Sequence, residues 1–339
     1  MVTRRNRTII HTCVLIIIVF LLLIHGIWYA LRRRSLEKFL NETDLSRYAN
    51  VTWPQRRIPR VIHQTYRTYD IPAVWNTSVQ SVIEKNAGEF EYRQWSHTDM
   101  DAFVQQHEPE FYRNTFVTYE NDIQRVDSFR YVLLYYLGGI YIDMDNGCNR
   151  SFRELVTTME AIDPDASHLV LFLSNDAFGL QTDFMIATPN HPFYKQCISR
   201  LHLFNHYFLI HHLTILLSAG PLYATVQERL FYQTKKQVVR LLDQRITRSM
   251  FWKTNGGSWF HRDTLIILHL YYNSGRILYY CTISAICLVV CFMLIMFCRQ
   301  KRRHFSIRLF ITRLNSYASL NNSRQQLIRL IKRRVGLTR

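Results

Sequence analysis

The chain has 339 residues, enough for one sizeable core with appendages, and it carries a formal net charge of +17 at pH 7. The charge is uneven, because residues 32–276 hold 27 basic and 25 acidic residues while residues 277–339 hold 12 basic residues and no acidic one. The long middle part is nearly neutral, which argues against nucleic acid as a partner of the main domain.

Two long uncharged segments lie on either side of this middle part. Residues 9–31 and residues 277–298 contain no Asp, Glu, Lys or Arg, and each is long enough to cross a bilayer core of about 30 Å. A basic cluster at residues 299–303 follows the second segment directly, which is typical of the cytosolic side of a membrane. A cleaved signal peptide is the alternative for the first segment, although its apolar run is longer than those peptides usually have.

We therefore predict a chain with two membrane spans and a lumenal domain between them. Its parts, in order, are a cytosolic N-terminus (1–8), a signal anchor (9–31), a lumenal domain (32–276), a transmembrane helix (277–298) and a basic cytosolic tail (299–339). In the tail, Leu327, Leu330 and Ile331 recur at helical spacing among basic residues. This pattern predicts an amphipathic helix on an anionic leaflet, with a disordered tail as the alternative.

Sequons agree with a lumenal middle part. Asn41, Asn50 and Asn76 each begin an Asn-x-Ser/Thr sequon there and are candidate glycosylation sites. Of the seven cysteines, Cys148 and Cys197 would be lumenal, and the sequence leaves open whether they pair.

The lumenal part alternates predicted strands and helices, which favours an α/β layer architecture. Strands are predicted over 60–64, 90–95, 140–142, 168–173 and 184–187, the last with Asp183 at its beginning, and helices over 99–107 and 120–137. Residues 201–217 are apolar but interrupted by four histidines, so we predict a helix packed on the domain or on a membrane surface rather than a third span.

Asp127 and Arg130 lie three residues apart on the helix predicted over 120–137, so their side chains are neighbours. In a mostly apolar segment the pair is a candidate site element. The alternative is an ordinary helix ion pair, which contributes little where it is exposed.

The helix is followed by Gly138, Gly139, a short apolar strand and the two carboxylates Asp143 and Asp145. Glycine tolerates the left-handed conformation just beyond a helix, and ligands of open α/β sheets bind beyond the carboxyl ends of strands. Two carboxylates there can offer hard oxygen ligands to a cation that also holds a diphosphate. The alternative is a solvated acidic turn.

Together, Asp127-x-x-Arg130-Tyr131 and Gly138-Gly139-x-Tyr141-x-Asp143-x-Asp145 closely resemble the core of glycosyltransferase family 32. Further segments match that family in order: residues 58–65, Asp183-Phe184-Met185, His191-Pro192-Phe193, Gly220-Pro221 and Gly257-Ser258-Trp259. The resemblance spans a core at 58–263, and within the family the chain is most similar to the fungal inositol phosphorylceramide mannosyltransferases.

The resemblance implies a GT-A type, Rossmann-like α/β domain that transfers mannose from GDP-mannose to inositol phosphorylceramide with retention. It implies a divalent metal, with Mn²⁺ as the first candidate and Mg²⁺ as the second. Asp145 would be its main ligand, and Asp143 would support it. Asp143 would also contact the donor, and Asp127 and Arg130 would hold the mannose and phosphate. The remaining donor-binding candidates are Gln64, Tyr66, Asp183, Ser258 and Trp259. For Tyr66 a core aromatic is the alternative, and for Asp183 a turn cap.

The same resemblance implies a Golgi membrane location, with the endoplasmic reticulum as a second candidate, and a regulatory membrane subunit as a candidate partner. Two other functions stay open: a Golgi mannosyltransferase acting on protein N-glycans, and a non-catalytic membrane scaffold of the same fold. His261 lies one residue later than the family's usual histidine, so its role is open.

Overall fold

The computed structural model describes residues 39–48, 51, 56–175, 179–254 and 323–331, together with the single positions 256, 273, 280, 284 and 316. The chain divides into two units, Met1–Leu265 and Ile266–Arg339. In the second unit residues 323–331 form a helix with exposed side chains. Among the described residues, no helix combines the length and the apolar character needed to cross a membrane. The predicted span at 9–31 lies outside the described residues, and so does the span at 277–298 apart from the single positions 280 and 284, so both stay predictions.

Within the described part of the first unit, strands and helices alternate. The strands are β1 Phe39–Leu40, β2 Val61–Thr65, β3 Glu91–Trp95, β4 Gly139–Ile142, β5 Asn146–Cys148, β6 His168–Asn175, β7 Gly179–Ala187, β8 Gln237–Leu242 and β9 Phe251–Lys253. The helices are α1 Glu42–Tyr48, α2 Asn76–Asn86, α3 His97–His107, α4 Pro109–Asn114, α5 Asp122–Tyr136, α6 Arg153–Ile162, α7 Pro192–Phe204, α8 His211–Ser218, α9 Pro221–Leu230 and α10 Gln244–Met250.

Seven strands form one mixed sheet in the order β1-β8-β6-β7-β4-β2-β3. Six of them run parallel to one another, and β7 is antiparallel to both of its neighbours, β4 and β6. The carboxyl ends of β2 and β4 therefore lie at the same edge of the sheet. A separate antiparallel pair, β5 with β9, follows β4 in the chain at that edge.

Helices cover both faces of the sheet, and the strands bury side chains on both. On β4, Tyr141 packs into a core formed with α3, α5, α7 and α9, whereas Ile140 and Ile142 pack into a second core formed with α1, α2, α6 and α10. This alternation follows from the period of two along a strand. Cys148 and Cys197 are both buried and both free.

Most predicted elements are found close to their predicted bounds, and α/β is the confirmed fold class. Two predictions were wrong. Asp183 does not begin a strand, because β7 starts at Gly179 and carries Asp183 in its interior, so it is not a turn cap either. The segment 201–217 is not one helix, because α7 ends at Phe204 and α8 begins at His211.

The turn between α5 and β4 requires its two glycines. Gly138 and Gly139 have φ of +64° and +89°, and a Cβ on Gly138 would lie 2.8 Å from the ring of Pro189, while one on Gly139 would lie 2.7 Å from the side chain of Val61. The left-handed backbone and the close approach both exclude a side chain. This turn sets the direction in which β4 delivers Asp143.

His63 on β2 fixes that turn to the sheet. The imidazole is fully buried, its Nε2 lies 3.1 Å from the Gly138 carbonyl oxygen, and its Nδ1 accepts a hydrogen bond of 3.2 Å from Trp95 Nε1. Because Nδ1 is an acceptor, Nε2 carries the proton and donates to Gly138. Burial lowers the pKa of His63 to about 4, which keeps the ring neutral at physiological pH.

We expect this ring to make folding stability depend on pH. Between pH 6.5 and about 4 the unfolded chain binds a proton at His63 that the folded chain does not, so the free energy of unfolding falls as the pH falls. His63→Gln should reduce the slope, by at most about 1.4 kcal/mol per pH unit, in urea denaturation of the full chain in detergent. His202→Gln, at an exposed position, is the control, and an unchanged slope in His63→Gln would contradict the assignment.

Candidate active site

Arg130 links three elements at the carboxyl edge of the sheet. It lies on α5 and is 4% exposed, with Nη1 2.8 Å from Asp127 Oδ1 and Nη2 2.8 Å from Asp143 Oδ1. Nη1 also donates to the Thr182 carbonyl oxygen on β7 at 3.0 Å, and Cζ lies 4.7 Å from the centre of the Tyr141 ring. One guanidinium therefore joins α5 to the end of β4 and to β7.

Asp143 is held from several sides. Tyr141 donates its hydroxyl proton to Asp143 Oδ1 at 2.9 Å, so Thr65, 2.8 Å from the same hydroxyl, donates to the Tyr141 oxygen. The Asp143 backbone N–H binds the Asp183 carbonyl oxygen at 2.9 Å. Gln64 is fully buried, accepts a hydrogen bond from Tyr92 and directs its Nε2 at the Asp143 carbonyl oxygen. The Asp143 carboxylate thus has one orientation before any ligand arrives.

Three carboxylates, those of Asp143, Asp145 and Asp183, lie close to the cations of Arg130 and Lys253. Burial raises the pKa of Asp143 to about 7, against the opposing effect of Arg130, and Asp145 and Asp183 add to the rise. Burial also raises the pKa of Asp145, which Lys253 opposes. For Asp183, burial acts in the same upward direction, but the Lys253 ammonium outweighs it and lowers the pKa below its ordinary value. The cluster is short of positive charge and attracts a cation.

Lys253 reaches this cluster through the pairing of β5 with β9. Asn146 is opposite Lys253 and Gly147 is opposite Trp252, whose indole ring occupies the space that a side chain at position 147 would need. From there Lys253 Nζ forms an ion pair with Asp183 Oδ2. A pairing more than a hundred residues apart in the chain therefore delivers a cation beside the acidic pair.

The residues present fit a divalent cation that would be completed by substrate oxygens. Asp143 and Asp145 both line the cleft, and two more acceptors, Asp183 Oδ1 and Asn146 Oδ1, are buried with no hydrogen-bond partner. Unpaired buried oxygens are costly, so they indicate a missing ligand. All are hard oxygen donors, which suit Mg²⁺ or Mn²⁺. Among the described residues no three acidic, His or Cys side chains form a ready metal cage.

A cleft of about 490 Å³ opens over this edge of the sheet. Its walls combine the two cleft carboxylates with polar and aromatic side chains from the ends of β2, α2, α3 and α5, and they include Thr65, Tyr66, Arg67, Trp75, His97, Asn121, Asp122, Arg130, Met144, His211 and Gly256. The Tyr66 and Trp75 rings meet edge to face with centroids 5.4 Å apart. The volume is typical of a small-molecule site.

The structure brings some predicted residues to the cleft and others only near it. Arg130, Asp143, Asp145 and Tyr66 line it, whereas Asp127 packs against Arg130 and Gly220 behind the surface.

Gln64 is buried behind Asp143, and its Nε2 lies 3.4 Å from the Asp143 carbonyl oxygen. Ser258, Trp259 and His261 lie outside the described residues. Asn41 and Asn76 are exposed, and Asn50 is outside the described residues.

Sequence reasoning did not find Lys253, Asn146, Thr65 or Thr182 as parts of the site. The one sequence feature that points to Lys253 is its position a few residues before Gly257-Ser258-Trp259. That position does not indicate with which carboxylate Lys253 forms an ion pair. The other three are ordinary polar residues whose role depends on strand pairing. Gly256 lies directly beside the site, because a side chain there would occupy the position of the Asp145 carboxylate.

We expect Arg130 to contribute strongly to stability. Arg130→Met would leave the Asp127 and Asp143 carboxylates without their buried cation, and breaking such a pair typically costs about 3–5 kcal/mol. The control is Arg153→Met, since Arg153 is mostly exposed and its ion pair with Glu89 should contribute about 1 kcal/mol or less. Urea denaturation in detergent measures both, and equal losses for the two variants would contradict the central role of Arg130.

Comparison with known proteins agrees with this arrangement. The family described as glycosyltransferase sugar-binding region containing DXD motif matches residues 72–162, which contain Asp127, Arg130, Asp143 and Asp145. The solved PaToxG glycosyltransferase resembles the chain only weakly, with a TM-score of 0.37 at 17% identity over 55% of this chain and 74% of that chain.

Curated relatives match over more of the chain. Inositol phosphoceramide mannosyltransferase 1 of Schizosaccharomyces pombe is 28% identical over 78% of this chain and 82% of its own length. Two mannosyl phosphorylinositol ceramide synthases of Saccharomyces cerevisiae are 30% and 33% identical over 62% and 61% of this chain. The chain spans 54% of the length of each of these two. The chain thus carries a DXD-containing sugar-binding region, is similar along much of its length to inositol phosphoceramide mannosyltransferases, and is a glycosyltransferase.

Proposed function

We propose that the protein transfers mannose from GDP-mannose to inositol phosphorylceramide, with retention at the anomeric carbon. The transfer uses a divalent cation, and Mn²⁺ is the first candidate. The observation that carries the proposal is the pair Asp143 and Asp145, which follows β4 and faces a cleft of suitable size, with Asp143 held in place by Arg130. The names of the relatives supply the sugar and the class of acceptor. A GT-A type arrangement of the domain is part of the same proposal.

In this proposal Asp145 is the main ligand of the cation and Asp143 supports it while contacting the donor. The cation, when bound, would neutralise charge that develops on the diphosphate leaving group. Both terminal nitrogens of Arg130 already bind protein oxygens, so we assign Arg130 and Asp127 the role of holding Asp143 in place. Tyr66 offers an aromatic wall for the nucleotide, and Ser258 and Trp259 would close over the donor.

Lys253 is an addition to the roles that the sequence suggested. Its ammonium partly offsets the three carboxylates and lies on the half-exposed side of the cluster, where a diphosphate would also meet it. Asp183 would hold sugar hydroxyls through Oδ1, which lacks a protein partner. Because retention needs no separate general base for the acceptor in this proposal, none is assigned.

The acceptor gives a reason for the predicted membrane spans at 9–31 and 277–298. Confinement to the membrane would hold the lumenal domain beside the lipid headgroup that it modifies. We place the protein in the Golgi membrane, with the endoplasmic reticulum as the second candidate and a regulatory membrane subunit as a candidate partner.

The proposed substrates can be tested with the full chain purified in detergent. We expect the release of GDP from GDP-mannose to rise when inositol phosphorylceramide is added, with mannosylated lipid as the product by mass spectrometry. UDP-glucose is the control donor. Stimulation by an N-glycan acceptor and not by the lipid would favour a Golgi mannosyltransferase of glycoproteins instead.

Mn²⁺ binding distinguishes Asp145, the proposed main ligand, from Asp127, which contacts Arg130. Asp145→Asn should lower transfer by roughly 10²–10³, because loss of a group that stabilises leaving-group charge typically costs about 3–4 kcal/mol. It should also weaken Mn²⁺ binding measured by electron paramagnetic resonance. Asp127→Asn should lower transfer with a smaller loss of Mn²⁺ binding, because Asp127 contacts Arg130 and acts on the cation site only through Asp143.

Near-normal turnover of Asp145→Asn at limiting Mn²⁺ would show that the acidic pair is only a turn. Equal loss of Mn²⁺ binding in both variants would contradict the division of roles.

A further inference from the structure

One side of the cleft carries a group of exposed apolar side chains, which we call the apolar rim. It consists of Val117, Leu203, Tyr207, Leu209 and Ile210, of which Leu209 is 86% exposed. Single exposed apolar residues are ordinary, but a group of five large ones on neighbouring segments indicates an interaction surface.

The rim lies beside the mouth of the cleft. Ile210 directly precedes His211, which lines the cleft, and Val117 lies three residues before Glu120, which also lines it. Asn205 Nδ2 donates to Thr118 Oγ1 at 2.8 Å and joins the two segments. A ligand part that left the cleft on this side would contact the rim at once.

The backbone of the rim is held in an unfavourable conformation. Leu209 has φ of +61°, and the Ile210 N–H binds the Phe208 carbonyl oxygen at 2.6 Å across it, which makes a tight three-residue turn. A left-handed leucine is costly, and this turn class is rare. Thr214 stabilises it, since its Oγ1 accepts from Phe208 N and donates to the Ile210 carbonyl oxygen, both at 2.9 Å. The fold thus presents Leu209 outward at a cost in water.

The composition of the segment identifies the kind of partner. Residues 203–212 contain no Asp, Glu, Lys or Arg, and they combine Leu, Ile and Phe with Tyr and His. Side chains with an apolar body and a polar tip are typical of the interface between lipid and water. The segment carries no charged side chain that a protein partner could complement.

We propose that the apolar rim inserts into the surface of the lipid bilayer, so that the cleft opens at the level of the lipid headgroups. This rests on the proposed lipid acceptor, whose chains must stay in the bilayer while its headgroup enters the cleft. Leu209 and Tyr207 are the inserted side chains, and burial in the interface offsets the cost of the turn.

Photocrosslinking of the full chain in lipid nanodiscs tests the insertion directly. p-Benzoylphenylalanine replaces Leu209 in one variant and Tyr232 in the control. Tyr232 is 85% exposed and lies before β8, at the opposite edge of the sheet from the cleft. We expect tail-labelled phosphatidylcholine to be captured from position 209 and not from position 232. A crosslink from position 209 to a second copy of the chain, or no lipid adduct, would overturn the proposal.

Kinetics separates this proposal from the proposed function. In the double variant Tyr207→Ser and Leu209→Ser we expect transfer to inositol phosphorylceramide in vesicles to fall about tenfold, with unchanged hydrolysis of GDP-mannose by water. Unchanged transfer to vesicle lipid would overturn the role of the rim. Lipid capture by a wild-type chain that transfers no mannose to the lipid would support the rim while removing the proposed acceptor.

Discussion

The site depends on one buried guanidinium. Arg130 binds Asp127 from its own helix, Asp143 from the end of β4 and the Thr182 carbonyl from β7, so it works only if all three elements have reached their final places. A buried charge without such partners would be strongly destabilising, which makes this contact a condition for the rest of the arrangement. In return, the Asp143 carboxylate is oriented before a ligand binds.

The strand order explains why three carboxylates meet without a sequence motif that contains all of them. Because β7 runs antiparallel between β4 and β6, the interior of β7 lies level with the carboxyl end of β4, and Asp183 meets Asp143 there. The short pair of β5 with β9 adds Lys253, which lies more than a hundred residues later in the chain than Asn146. Neighbouring carboxylates repel one another, and the Arg130 and Lys253 cations partly offset that repulsion.

The same edge of the sheet carries both the polar cleft and the apolar rim. Connecting segments at this edge run over the surface, so they can expose groups that the core would exclude. Thr118 and Thr214 hold the rim through side-chain hydrogen bonds, and the cleft begins one residue beyond it at His211. Under the proposed function, the water-soluble donor and the lipid would lie on adjoining surfaces.

The sequence alone determined the local features. Hydrophobic periodicity predicted α5, β4 and β6, and the consecutive glycines predicted the turn that the φ angles confirm. Asp127, Arg130, Asp143 and Asp145 were also recognisable, since they lie within twenty residues of one another and form a specific motif.

Tertiary structure decided what no local pattern contains. The break in 201–217 comes from the tight turn at Leu209, which hydrophobic periodicity does not indicate. The place of Asp183 comes from a long antiparallel strand, and the contact of Lys253 comes from the pairing of β5 with β9. The positions of Asp183 and Lys253 depend on residues that are far apart in the chain, and side-chain periodicity carries no information about which distant strand becomes the neighbour.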